Sequence, residues 1–453
     1  NYCIAFCLDR RASGTHFRDC VDDPMLILSH PIGNANVRQA VRALNDVGLL
    51  REFWTSLAWH PEYLLARMLP RSLSRELRRR TFSHVHPDQV HCYPWLEAGR
   101  IVANRFRLQG LTRHEVGLFS VDAVYRGLDG AVASRLQRAK NVDAIYAYED
   151  GALASFRVAR KLGLKTIYEL PIGYWRCYQE LMEEEAALQP EWASTLPGIF
   201  DSAGKRDRKD EELALSTHIV VASEFVRRTL VKAGPLNARI SVAPYGAPAT
   251  CSVKTRPSDS DGPLKVIFVG MLTQRKGISY LLRAAELLGP KIQLTLVGRR
   301  VGKCRALDTA LRAHRWIPSL RHADLLQEIG HHDVMVFPSL FEGCALVLLE
   351  ALSQGVPVIT TSHTGASDFL SDGEDGFMVP IRDAMAVAEK LELLSGDREL
   401  LSSMSQAASR KAAQRSWEQY RNHLTTVVRQ ALAGDSSAQV LDHSFAAPSE
   451  QAC

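Results

Sequence analysis

Two glutamates eight positions apart, Glu342 and Glu350, frame the stretch whose residue types could do chemistry. If the interval is mostly helical, a rise of about 1.5 Å per residue sets their carboxylates roughly 10 to 12 Å apart, too far to act on one atom. They are therefore not an acid and base pair. Between them Gly343, Cys344, Ala345 and Leu346 stand where a helix would begin. The amides of a first turn lack intrahelical partners and carry partial positive charge, which suits a phosphate. Arg275 and Lys276, in a loop running from Gly270 to Gly277, supply two cations that could neutralise a departing diphosphate. Hydroxyls at both ends and a diphosphate between them describe a nucleotide diphosphate sugar. Taken singly, each glutamate also fits an ordinary solvated position, because glutamate favours helices anyway.

Positioning these groups requires strands that end where the loops begin. Val334 to Phe337 reads as a buried strand, Pro338 and Gly343 break it, and Cys344 to Gln354 reads as a helix closed by Gly355 and Pro357. Lys265 to Val269 is a strand feeding the Arg275 loop and a helix from Ile278 to Leu288; Leu294 to Val297 is another, ending at Gly298. The same alternation runs through the first half. Met25 to Leu28 leads to His30, Gly33 and Asn34 and a helix from Val37 to Asn45; Ala144 to Tyr148 leads to Glu149; Thr166 to Leu170 contains Glu169. Strand and helix in alternation predict parallel Rossmann-like sheets with ligands at their carboxyl edges. At 453 residues the chain exceeds one ordinary core. The expected division is a domain over 1–248 with a poorly ordered lead-in at 1–23, a linker at 249–262, a second domain over 263–433 and a disordered tail at 434–453.

The run from Val266 to Pro380 resembles the donor-binding domain of retaining glycosyltransferases of the GT-B type, family 4. The resemblance is carried by V-I-F-V-G at Val266 to Gly270, Q-R-K-G at Gln274 to Gly277 and L-T-L-V-G at Leu294 to Gly298. It continues through the glutamate pair, E-A-L-S-Q-G-V-P-V-I at Glu350 to Ile359 and D-G-E-D-G-F-M-V-P at Asp372 to Pro380. It implies an α/β architecture of two Rossmann-like domains facing across a cleft, with a last helix near Trp417 crossing back onto the first. Glu350 would bind ribose hydroxyls. Gly270, Arg275, Lys276, Gly298 and the amides from Gly343 to Leu346 would hold the donor diphosphate, and Glu342 the transferred sugar. Glu342, Arg275, Lys276 and Glu169 are the catalytic candidates, and His30, Gly33, Asn34 and Glu149 face the acceptor. No metal or cofactor is implied, and Asp259-Ser-Asp261 lies in the linker rather than after a strand. The chain departs from the family where a histidine is common at the end of the strand ending at Leu170, and where Met271 replaces a basic residue. A sugar phosphorylase, a sugar-phosphate synthase and a non-catalytic nucleotide-sugar binder remain open on the same architecture.

Composition narrows the partners. Apolar content of 46% and charged content of 23% describe a globular chain, and a net charge of +5 makes no general case for nucleic acid. No apolar run approaches the roughly 20 residues of a membrane-spanning helix, and no signal peptide is expected. Nine cysteines without a C-x2-C pair fit reduced thiols in a cytoplasm. From Glu62 to Phe82 a basic, amphipathic pattern including Arg67, Arg71, Arg75 and Arg80 fits either a solvated face or contact with an anionic membrane surface.

Overall fold

The computed structural model describes residues 24–59, 80–196, 201–250 and 262–433. The lead-in, most of the basic stretch (including Arg67), most of the linker and the tail lie outside them. Two parallel sheets organise the chain. The first is seven-stranded, from β1 (Leu26–Ser29), β2 (Leu50–Thr55), β3 (Val90–Cys92), β4 (Ala144–Tyr148), β5 (Lys165–Leu170), β6 (His218–Val221) and β7 (Arg239–Val242), in the order β3-β2-β1-β4-β5-β6-β7. The six-stranded second sheet holds β8 (Leu264–Val269), β9 (Ile292–Val297), β10 (Arg315–Ile317), β11 (Val334–Phe337), β12 (Val358–Thr360) and β13 (Gly376–Met378), in the order β10-β9-β8-β11-β12-β13. Both orders reverse direction beside their first strand, between β1 and β4 and between β8 and β11. Such switch points open a crevice at the carboxyl edge.

Helices cover both faces, so the central strands are continuous apolar runs rather than alternating ones. Every residue of β1, β4 and β11 is buried. Val334 and Met335 of β11 pair with Val266 and Ile267 of β8, bringing the Arg275 loop and the Glu342 loop side by side. The first helix spans Ala35–Asp46, starting before the expected Val37 because the Asn34 side chain caps it by accepting from the Val37 amide at 3.3 Å. The helix after β11 is Leu346–Ser353, shorter than expected at its start because Ala345 stays extended.

Among the described residues two junctions between the sheets stand out. Phe341, on the loop after β11, is fully buried against Tyr178 and Phe225 of the first-sheet side, both with ring centroids at 5.3 Å. Gly173 makes room for it, since a Cβ there would meet the Phe341 ring at 2.4 Å. Beside this contact the buried Glu185 carboxylate accepts from Gln274 Nε2 at 2.7 Å, Tyr280 at 2.8 Å and Arg382 Nε at 2.7 Å. The second junction is the last helix, Trp417–Ala433, which crosses back as the resemblance implies. Its Arg421 donates to Gln39 at 2.8 Å and its Tyr420 packs on Tyr245 at 5.7 Å. Among the described residues no helix is long and apolar enough to cross a membrane.

Candidate active site

The sequence-predicted cations and Glu342 form one cluster. Arg275 donates to Glu342 Oε1 at 2.8 Å and to the Phe341 carbonyl at 2.6 Å, Lys276 binds the same carboxylate oxygen, and Ser339 donates to it at 2.9 Å. The turn holding the cations needs glycine at 277: its φ is 69°, and a Cβ would lie 2.0 Å from the Pro338 carbonyl. Burial alone would raise the Glu342 pKa, but Arg275 and Lys276 outweigh it and hold the carboxyl below its usual range. Lys276 is pulled the other way. Burial lowers its pKa to about 8, with Glu342 opposing the shift and Arg275 adding to it.

The neighbouring loops close up through two more glycines. Gly270 and Gly298 end β8 and β9 with positive φ, and a Cβ on Gly298 would stand 1.8 Å from the Gly270 carbonyl. Gly343 lies against the first-sheet side, where a Cβ would overlap the Pro171 carbonyl at 1.7 Å, and its own carbonyl accepts from Ser223 at 2.6 Å. Of the amides expected to receive a phosphate, that of Ala345 is already given to Thr364 at 3.0 Å. This corrects the expectation of four unpaired donors. The amides of Gly343, Cys344 and Leu346 hold no hydrogen bond among the described residues.

A cavity of about 510 Å³ opens between the two carboxyl edges, within the size range of small-molecule sites. His30, Tyr148, Glu149 and the Pro171 to Gly173 turn line it from the first sheet, and Arg275 reaches it from the second. His30 Nδ1 accepts from the Ile32 amide at 2.9 Å, which leaves the proton on Nε2, and burial lowers its pKa to about 3. It is a neutral donor. Glu149 sits 3.3 Å from Lys209, and burial raises its pKa despite that cation.

Other predicted residues fall elsewhere. Glu169 does not line the cavity. It is buried behind it, accepting from Tyr146 at 2.7 Å, Tyr245 at 3.1 Å and Asn36 at 3.4 Å, and burial raises its pKa. This corrects the catalytic expectation for Glu169: its carboxylate is occupied in tying β4, the first helix and the Tyr245 loop together, away from the cavity. Gly33 and Asn34 are also outside the cavity, the one giving space to the Phe82 ring and the other capping a helix. Glu350, on the helix after β11, accepts from His322 at 2.8 Å, and that hydrogen bond raises the imidazole pKa. Glu350 does not touch the cavity either.

The sequence reading missed an ion network along the cavity wall. Lys205 lies 3.1 Å from Asp122 and 3.2 Å from Asp201, and Arg208 donates to Asp150 at 2.9 Å. Its signal was the K-R-D-R-K-D-E-E run at Lys205 to Glu212, read only as a charged helix. Among the described residues His114, Glu115 and Asp201 bring ligand atoms within 4.8 Å of one another, the one set that could hold a metal. Lys205 already balances Asp201, and Ser202 engages both Glu115 oxygens.

Residues 254–411 match the family model of glycosyl transferases group 1. A capsular polysaccharide biosynthesis glycosyltransferase of Staphylococcus aureus is 28% identical over 177 residues, 36% of this chain and 46% of the relative. A glycogen synthase of Mycobacterium tuberculosis is 29% identical over 172 residues, 36% of this chain and 42% of the relative. The matches thus span less than half the length of these relatives. Among solved structures, sucrose-phosphate synthase from Thermosynechococcus elongatus superposes with a TM-score of 0.64 at 17% identity, covering 91% of this chain and all of that one. Anabaena HepE in complex with UDP superposes with a TM-score of 0.59 at 14% identity, covering 90% of this chain. At these identities the likeness establishes the two-domain fold. Residues 254–411 thus resemble the glycosyl transferases group 1 family, and the chain has the GT-B architecture of two Rossmann-like domains facing across a cleft.

Proposed function

We propose that the protein is a glycosyltransferase that moves a sugar from a nucleotide diphosphate sugar to a hydroxyl acceptor, with retention of anomeric configuration. The observation that carries this reading is Arg275. Its guanidinium is fixed on Glu342 beside Lys276, yet the residue lines a cavity otherwise built by the first sheet. A diphosphate placed there meets two cations that share one carboxylate, and the surplus positive charge stabilises the leaving group as its bond to the sugar lengthens. In a retaining reaction that leaving group also assists the incoming hydroxyl, so no base from β5 is required. His30 Nε2, at the end of β1, offers a neutral hydrogen bond to the transferred sugar from the opposite wall. Glu350 with His322 would hold the ribose at the far end. The names of the curated relatives favour a saccharide or polysaccharide product.

The test is thermal unfolding of the purified chain with UDP-, GDP-, ADP- and TDP-sugars, beside Lys276→Ala and Glu350→Ala. A ligand at 100 times its dissociation constant adds about 2.7 kcal/mol, a readable shift of the melting point. One nucleotide should stabilise the wild type and neither variant. If no nucleotide sugar stabilises the wild type, the donor site is wrong.

A further inference from the structure

We propose that the face formed by residues 95–121 is a docking surface for an anionic lipid bilayer. Eight of the seventeen large apolar side chains that stand exposed among the described residues fall between Trp95 and Val121. They protrude rather than line a groove: Trp95 is 75% exposed, Phe106 69%, Val116 74% and Leu118 63%. Trp95, Val102 and Phe106 follow one another at spacings of seven and four along the helix Trp95–Arg105 and its cap, so they share one face. Val116 and Leu118 come from the turn that follows.

The platform beneath them is closely packed. Glu97, fully buried, takes Arg80 at 2.7 Å and Arg100 at 2.6 Å and anchors the helix. Gly99 admits the Phe119 ring, which a Cβ would meet at 2.4 Å, and Phe119 donates its amide to the Leu111 carbonyl at 2.8 Å. Gly117 donates to Arg113 at 2.8 Å and closes the turn. The apolar tips are thus held outward by packed backbone.

Charge selects the partner. From Val102 to Val121 the exposed charged residues include Arg105, Arg107 and Arg113, and none of the exposed residues is acidic; Glu115 is half-buried on Ser202. A second copy of this chain would set arginines against arginines. An anionic headgroup layer takes the arginines while the apolar tips enter the boundary with the acyl chains. Val121 and His114 also line the cavity, so docking brings it to the bilayer surface. This surface stands apart from the sugar-transfer reading.

The experiment is co-sedimentation of the full chain with vesicles of phosphatidylcholine alone and of phosphatidylcholine mixed with phosphatidylglycerol, at low and high salt. Wild type should sediment with the anionic vesicles and be released by salt. The triple variant Phe106→Ser, Val116→Ser, Leu118→Ser should keep its melting point and lose binding at least about tenfold. Arg105→Glu with Arg107→Glu should abolish the preference for anionic vesicles. Absence of wild-type binding, or a folded triple variant that binds as wild type does, overturns the proposal. So does a concentration-dependent dimer that the triple variant dissolves with no vesicle binding.

Discussion

Replacing Glu342 by glutamine keeps the side chain's shape and removes the carboxylate that Arg275 and Lys276 share. Lys276 already titrates at about pH 8 because it is buried, and Glu342 is what keeps it from falling further. Losing an opposite charge at hydrogen-bond distance takes away about one to three pKa units, or about 1.4 to 4 kcal/mol of preference for the ammonium form. The midpoint then lies between about 5 and 7, and at least about half of Lys276 is neutral at pH 7. Only the ammonium form attracts a diphosphate. Wild-type affinity for a nucleotide sugar should therefore hold below about pH 8 and fall as pH rises past it. In Glu342→Gln the fall should begin one to three units lower. Calorimetric titration with the intact nucleotide sugar is the right assay, because its diphosphate has no proton to lose near neutrality. An unchanged midpoint in the variant would refute the argument that Glu342 sets the charge of Lys276. The same depressed pKa has a consequence for folding. Between about pH 8 and the ordinary lysine value near 10.4, the unfolded chain keeps a proton that the folded chain has lost, so this group makes stability rise with pH across that window.

Phe341→Ala should cost about 3 to 5 kcal/mol in urea unfolding, since a fully buried ring at the junction of the two sheets leaves a cavity there; a loss below about 1 kcal/mol would mean that the junction does not contribute to stability. Glu185→Ala strands Arg382 and Gln274 without their buried acceptor and should cost about 3 to 5 kcal/mol in the same measurement, whereas a neutral result would show the junction reorganising around water. Gly298→Ala places a Cβ on the Gly270 carbonyl at a φ of 147°, and a lowered melting point together with weakened nucleotide binding is expected; wild-type values for both would contradict the close approach of the two loops. His30 titrates at about pH 3, so the pH profile of nucleotide-sugar binding should be the same above pH 5 in the wild type and His30→Gln; an inflection near pH 6 that the variant removes would contradict its burial.

The second sheet was legible because its strands are apolar on both faces and its turns are punctuated by glycine. Val266 to Gly270, Leu294 to Gly298 and Val334 to Phe337 announce themselves by composition, and the Arg275, Lys276 and Glu342 cluster followed from the loops those strands end in. The first sheet was less legible. β2 mixes Arg51, Glu52 and Trp54 into its run and β3 is three residues long, so neither shows a pattern. Glu169 misled because a glutamate near a strand end looks like a site residue, while its burial depends on Tyr245 and Asn36, each distant in sequence. The partners of the Lys205 to Glu212 charge run in the ion network were hidden for the same reason. Its members come from separate elements, and only the fold brings them within about 4 Å.

The most direct measurement is release of nucleoside diphosphate from the donor sugar that stabilises the chain, followed for wild type and Lys276→Met in the presence of hydroxyl acceptors. The account predicts turnover by the wild type and a loss of at least about a hundredfold in the variant, the effect of removing one group that stabilises developing charge. Equal release by both proteins would contradict the placement of the leaving diphosphate beside Arg275 and Lys276.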